Sequence, residues 1–373
     1  MVKGAMNRLE QNNKVIIWTL VLCFMVMIMV VIGGVTRLTG SGLSMVEWKP
    51  LMGAIPPLNL NDWNEVFAKY QTSPQYKLVN QGMSLSEFQW IYFWEYFHRL
   101  IGRLLGIVFF IPWVFFWIKN YISKKRAFKF LIGFLLGGLQ GLMGWIMVAS
   151  GLVDQPQVSH LRLAAHLVLA FFILAYFWRI IWELNLENNL KLKYEELEND
   201  TQNRINNYEK SKMQNISVPF HFLNKALNGM LFLLIVQIFY GALVAGLRAG
   251  FIANTFPDMQ GSFFPLGGWV LSPSWINIIE NPLTVQWVHR ILGWSLFISA
   301  VVIYTKSRLD SISVSIQKVL LGLVAVIGLQ FIIGIMTLLF RVPLPLAVLH
   351  QVGAAILLLY LLWVRWQIQT EAV

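Results

Sequence analysis

The chain has one cysteine in 373 residues and only 13% charged residues, and these two shortages exclude most protein classes. Cys23 lies inside the first long apolar run, so neither an internal disulfide nor a cysteine-ligated metal cluster can form. An average soluble domain is about 25% charged. Half that density, with 57% hydrophobic residues, excludes an ordinary water-soluble globule. Acidic side chains are the scarcer sign, 18 against 29 lysines and arginines. The resulting charge of +11 is read as loop charge facing a cytoplasmic membrane surface, not as a nucleic-acid patch. Residues 1–14 are polar and mixed in charge, with neither the pattern of a cleavable signal nor that of an Arg-rich transit peptide, so the first apolar run is expected to stay as an anchor.

What the chain does have is apolar runs of bilayer-spanning length. They fall at about 15–34, 88–118, 129–150, 158–183, 221–245, 284–305, 317–340 and 344–364. The expected fold is an all-α polytopic membrane protein: eight transmembrane helices forming two tandem four-helix bundles related by an internal repeat. The repeats are expected at 1–184 and 218–373, joined by a polar, solvated cytoplasmic linker at 185–217. Lys3, Arg8 and Lys14, the bases around 119–129 and 306–318, and Arg365 cluster on one side. That side is expected to be cytoplasmic and to hold both termini. The segments at about 35–87 and 246–283, rich in Gly, Pro and Trp, are expected to be folded or interfacial on the other side.

The repeat is clearest at four histidines. Glu95-Tyr96-Phe97-His98-Arg99 in the first half matches Gln286-Trp287-Val288-His289-Arg290 in the second. A Leu-Gln pair follows each, with a glycine four residues beyond the glutamine: Leu139-Gln140 with Gly144, and Leu329-Gln330 with Gly334. A second histidine, His166 or His350, then completes each half, 68 or 61 residues after the first. All four lie about six to ten residues inside the outer ends of their spans, at similar depth. Paired intramembrane histidines at one height suit a flat macrocycle clamped from both faces, which points to haem. Four residues after each histidine stands a small residue: Gly102, Ala170, Gly293 or Ala354. Such positions make room for a porphyrin, or simply let helices pack closely. Zinc fits less well, for want of a third and fourth ligand nearby.

Glu95 stands one helical turn before His98, and an intramembrane carboxylate is a functional candidate by default. Its bland alternative is an ion pair with Arg99. The second half keeps Arg290 but has Gln286 in place of the acid, which favours chemistry in the first half. Arg37, Arg162 and Arg248 lie at outer span ends, where they suit haem propionates or ordinary snorkelling equally. Met143 and Met336 are read as packing, His160 as interfacial, and His221 is given no role.

At these residues the chain resembles the haem A synthase family. The match runs through Gly33-Gly34-Val35-Thr36-Arg37-Leu38-Thr39 with Ser41-Gly42-Leu43, then the Glu95–Arg99 motif, Leu139–Trp145, Arg162–His166, Asn254-Thr255-Phe256-Pro257, His289-Arg290 and His350-Gln351. The resemblance implies oxidation of the C8 methyl group of haem O to a formyl group, giving haem A for cytochrome oxidase. It further implies His98 and His166 as ligands of the substrate haem, Glu95 as the catalytic acid, and His289 and His350 as ligands of a haem b cofactor. Implied partners are haem O synthase, cytochrome oxidase assembly factors, and an electron donor or acceptor, in a bacterial inner membrane. Lacking the outer-loop cysteine pair of some members, the chain resembles the cysteine-free branch. A dihaem b-type cytochrome in quinone-linked electron transfer would need haems on opposite sides of the bilayer, whereas these histidines share one side. A haem exporter or chaperone would leave Glu95 unexplained.

Overall fold

The computed structural model of the chain describes residues 2–47, 55–151, 158–199, 217–310 and 312–371. Eight helices are long and apolar enough to cross a membrane. They are α1 (Val2–Leu38), α2 (Leu85–Ile118), α3 (Lys124–Gly151), α4 (His160–Asn199), α5 (Ser217–Gly246), α6 (Pro282–Leu309), α7 (Val314–Leu339) and α8 (Leu344–Glu371). All eight expected spans are present. The starts of the helices carrying His98 and His289 are fixed by local chemistry. Ser84 and Glu87 form a reciprocal capping box at α2. At α6, the Asn281 side chain accepts from the Leu283 and Thr284 amides, and Pro282 occupies the first turn, where no amide donor is needed.

Helices α1 to α4 close a ring in which each packs on the next and α4 returns to α1. Helices α5 to α8 close a second ring in the same order, with α8 returning to α5. The rings meet through α1 on α8, α4 on α5, and α4 on α8. Burial follows from this placement: half of the apolar window of α1 is buried, against 6% of that of α3. The shared core joins Leu22 and Val26 of α1 and Leu174 of α4 to Leu227 of α5 and Leu358 of α8. Exposed apolar side chains such as Phe24, Leu135, Phe232 and Ile298 face outward, as a lipid solvent allows.

Outside the bundle, the described part of the first long loop folds into two short helices, Leu60–Gln71 and Pro74–Leu78. Their side chains join the first turns of α2 in an aromatic cluster of Tyr70, Phe88, Tyr92, Trp63 and Phe67. The outer turns of α2 therefore belong to this cap. At the opposite end α4 is 40 residues long, so at 1.5 Å per residue it reaches about 60 Å, twice the hydrocarbon thickness. Part of the stretch expected as a solvated connector is thus helix, up to Asn199; residues 200–216 lie outside the described residues. The extension is pinned by polar contacts. Arg126 of α3 pairs with Glu187 at 2.5 Å, Lys129 pairs with Glu183, and Asn12 of α1 donates to Asn188 at 2.9 Å.

The two rings approach closely at Gly246, where a Cβ would stand 2.5 Å from His160 Cβ and 2.7 Å from His160 Cα. Backbone cannot move aside as a flexible side chain does. Gly246→Ala is expected to cost about 1–3 kcal/mol of stability through overpacking. Gly229→Ala, with nothing within 4 Å of the new methyl, is expected to be neutral. Thermal unfolding in detergent compares the two, and equal midpoints would refute this account of the junction.

Candidate functional site

The segment 33–45 builds most of the first-half site. Gly33 faces the His98 ring, with a Cβ position 3.2 Å from Nε2, and Gly34 faces Gln351 of α8. One turn on, the Thr36 hydroxyl donates to the Trp94 carbonyl at 3.2 Å. Arg37 Nη2 donates to the carbonyls of Ala245 and Gly246, at 2.6 and 3.2 Å, and so closes the open end of α5. The chain then turns at Gly40, whose φ of +68° favours glycine. That turn brings Ser44 and Met45 back onto Glu95. The carboxylate, 3% exposed, accepts the Ser44 hydroxyl at 2.7 Å and the Met45 amide at 2.9 Å on Oε2. Its Oε1 pairs with Arg99 at 2.5 Å. The ion pair weighed as the bland reading of Glu95 is therefore formed, and the same carboxylate also ties down a loop 50 residues away in sequence.

The second half holds a loop at the matching place with a neutral glutamine that donates where Glu95 accepts, beside a matching arginine. Gln286 Nε2 donates to the Ala253 carbonyl at 3.1 Å, and Arg290 donates to the carbonyls of Ala253, Thr255 and Asp258. Asn254 in turn donates to the carbonyls of Gly250 and Leu338. The Asn254–Pro257 motif is thus a loop clamped on the His289-Arg290 helix, as 44–45 is clamped on His98-Arg99.

Each histidine rests against a glycine of a neighbouring helix. The Cβ positions of Gly144, Gly241 and Gly334 lie 3.2, 3.1 and 2.8 Å from Cε1 of His166, His289 and His350, beside the Gly33–His98 contact. Four residues before three of these glycines stands a glutamine whose amide reaches the same ring. Gln140 Nε2 lies 3.2 Å from His166 Nε2, Gln237 Nε2 lies 3.4 Å from His289 Nε2, and Gln330 Nε2 lies 3.1 Å from His350 Nδ1. Gln140 and Gln330 also donate to the backbone carbonyl of their histidine, at 3.1 and 2.8 Å.

Among the described residues no group of three or more His, Cys, Asp or Glu side chains could hold a metal ion, so a metal site here rests on histidine pairs. Haem fits the second pair. The His289 and His350 ring centres are 6.4 Å apart and their planes nearly perpendicular, at 83°. With metal–nitrogen bonds of about 2.0 Å, two imidazoles on one iron place their ring centres roughly 6.3 Å apart. Nδ1 of His289 and of His166 is buried without a hydrogen-bond partner, which suits a ring that gains a ligand or acceptor on binding.

The remaining expectations fare unevenly. Gly102 and Gly293 face Met29 and Gln237, at 3.5 and 3.4 Å, so both make room for side chains of the neighbouring helix. Arg162 and Arg248 are exposed, while Arg37 is engaged with α5. Gly33, Met29, Gln237 and Ser44 were not singled out from the sequence as site residues. A glutamine four residues before a glycine, read on the fifth span as well as the third and seventh, was the available signal for Gln237.

A sequence model of the COX15-CtaA family, described as cytochrome oxidase assembly protein, matches residues 16–362. A haem A synthase of Nitrosospira multiformis is 44% identical, across 96% of this chain and 95% of its own length. Those of Nitrosomonas eutropha and Rickettsia felis are 43% and 36% identical, covering 95% and 97% of this chain and 94% and 100% of their own lengths.

The loop clamp can be tested directly, since Cys23 can be replaced and Leu43 is buried beside Ser44. Hydrogen bonds to a charged group contribute about 1.5–3 kcal/mol each. In a Cys23→Ala background, Glu95→Ala is expected to raise the labelling rate of Leu43→Cys by roughly 10-fold or more through local opening. An unchanged rate would mean that Glu95 does not hold the loop.

Proposed function

Since the chain belongs to the COX15-CtaA family of cytochrome oxidase assembly proteins, we propose that it is a haem A synthase. In this reading it is a membrane oxidoreductase that converts the C8 methyl group of haem O into the formyl group of haem A. The observation that carries it is the His289–His350 pair, at the separation that two ligands of one iron require. It is supported by near full-length similarity to proteins named haem A synthase.

His289 and His350 hold a haem b cofactor between α6 and α8. His98 and His166 hold the substrate haem between α2 and α4, with Arg162 and Arg248 at the outer ends of α4 and α5 near its propionates. Haem iron together with an external oxidant and electron acceptor would supply the oxidising power that a methyl C–H demands, and the protein supplies position and charge. Glu95, one turn outward from His98, is the acid–base group: its Oε2, which accepts from Ser44 and Met45, takes up a proton during the oxidation. Arg99 and the 44–45 clamp hold that oxygen in place. The isoprenoid tail of haem O stays in lipid, so the substrate enters between helices instead of through water. Haem O synthase is the expected source of substrate, and cytochrome oxidase assembly factors are the expected recipients of product.

The protein is placed in a bacterial inner membrane with both termini cytoplasmic. The basic end of the bundle, with Arg8, Lys124, Lys125, Lys306 and Arg365, supports this. The Leu43→Cys probe reports the side: labelling by an impermeant reagent only from the cytoplasm would reverse the topology.

Co-expression with a haem O-producing enzyme should yield haem A in extracted pigment, and its absence at normal protein yield would overturn the enzyme reading. In the same assay Glu95→Gln is expected to keep the fold and both haems but lower haem A per mole of protein at least 100-fold, within the range of a lost general acid–base group. Wild-type product from that variant would remove Glu95 from the chemistry. For the cofactor, His289→Ala or His350→Ala should abolish the low-spin spectrum of the reduced haem. Unchanged haem content and spectrum in both would sink the ligand assignment.

A further inference from the structure

The glutamine–glycine pairs recur on three odd-numbered helices, and α1 departs from them at one side chain. Gln140 with Gly144 on α3, Gln237 with Gly241 on α5, and Gln330 with Gly334 on α7 each engage one imidazole, the glycine against Cε1 and the amide nitrogen at a ring nitrogen. On α1 the glycine is present as Gly33 against His98, but four residues before it stands Met29. Gly33 also meets its ring at Nε2, where the other three glycines meet Cε1. Met29 Cε lies 3.5 Å from the Cβ position of Gly102, and Gln237 Nε2 lies 3.4 Å from that of Gly293, each four residues past a histidine. A thioether fills this space but offers no N–H.

We infer that Gln140, Gln237 and Gln330 are positioning residues that fix the orientation of His166, His289 and His350, and that Met29 leaves His98 as the one imidazole able to turn away. His98 is then the exchangeable ligand of the substrate haem. This rests on the reading of the histidine pairs as haem sites. Without iron the amide Nε2 faces each ring nitrogen as a donor; with iron on one nitrogen the other carries a proton, and the partner able to accept it is Oε1, buried without a hydrogen-bond partner in all three glutamines. Such outer partners of a ligating histidine set its ring orientation, and their loss ordinarily costs about 10–100-fold in metal affinity. A cofactor should be retained, and both second-half imidazoles are clamped. A substrate must enter and its product must leave, and in the first half only His166 is clamped. If Met29 merely packs, the asymmetry has no consequence for haem exchange.

The reciprocal exchange decides between these, because the two positions have equal reach and each accepts a side chain of the other's size. The readouts are CO binding to the reduced protein, which needs an open axial position, and haem transfer to apomyoglobin. Gln237→Met is expected to let the second-half haem bind CO, as wild type does not, and to speed its loss about 10-fold. Gln330→Met should act in the same direction and serves if Gln237→Met folds poorly. Met29→Gln should slow the loss of haem O from the first-half site about 10-fold and lower multiple-turnover output more than single-turnover output. Wild-type CO behaviour and haem-loss rates in the folded variants would overturn the inference. Failure of the haem-site reading looks different: the haem would then survive His289→Ala, whatever residue stands at 237.

Discussion

An imidazole inside a membrane must find its partners within the protein, because lipid offers none. In this chain a neighbouring helix comes so close that a Cβ opposite each ring would crowd it, at Gly33, Gly144, Gly241 and Gly334. Much else follows from that approach. The glycine sets the local spacing of the helix pair, and the residue one turn away is placed to reach the same ring or the small residue below it. The caps at Ser84 and Asn281 fix where α2 and α6 begin, hence the height at which His98 and His289 meet their glycines. The Glu95 and Gln286 clamps then hold the outer loops over the two histidine pairs.

How much of this was legible in the sequence depended on whether the signal was local. Eight spans, the pairing of the histidines and their shared side could be read from hydropathy and spacing, since each is a property of a continuous segment. Gln140 with Gly144 and Gln330 with Gly334 were visible as a repeated motif, but their purpose was not, because their partners lie on α4 and α8. Gln237 carries no sequence signal of its own beyond its spacing from Gly241, and Gly33 reads only as part of a motif, for the same reason. The small residues after each histidine invited a porphyrin explanation; at Gly102 and Gly293 the facing group is a side chain of the adjacent helix, which composition alone could not reveal. The polar stretch after residue 184 looked like a connector because it is rich in charge. Pairing of Glu183 and Glu187 with Lys129 and Arg126 lets the helix continue where hydropathy alone would end it.

The halves share a frame and differ where chemistry differs. The second half places amides at both critical points, Gln286 on the loop and Gln237 on the ring. Glutamine at both is suited to holding a bound group without reacting with it. The first half has a carboxylate at one point and a thioether at the other, Glu95 and Met29. The loop contacts are formed in both halves, by an acceptor at Glu95 and by a donor at Gln286.

The two sites also stand back to back. Consecutive glycines of α1 divide the work: Gly33 supports His98, while Gly34 admits Gln351 of α8, whose amide donates to the Val30 carbonyl at 3.1 Å. The residue before Gln351 is His350. A shift of α1 relative to α8 would therefore disturb the support of His98 and the segment carrying His350 together. Arg37, one turn beyond Gly33, ties the same stretch of α1 to the end of α5, so two of the contacts between the rings run through the segment that walls the first-half site. One stretch of α1, between Val30 and Arg37, is thus in contact with His98 of its own ring and with the helices that carry Gln351 and Gly246 in the other.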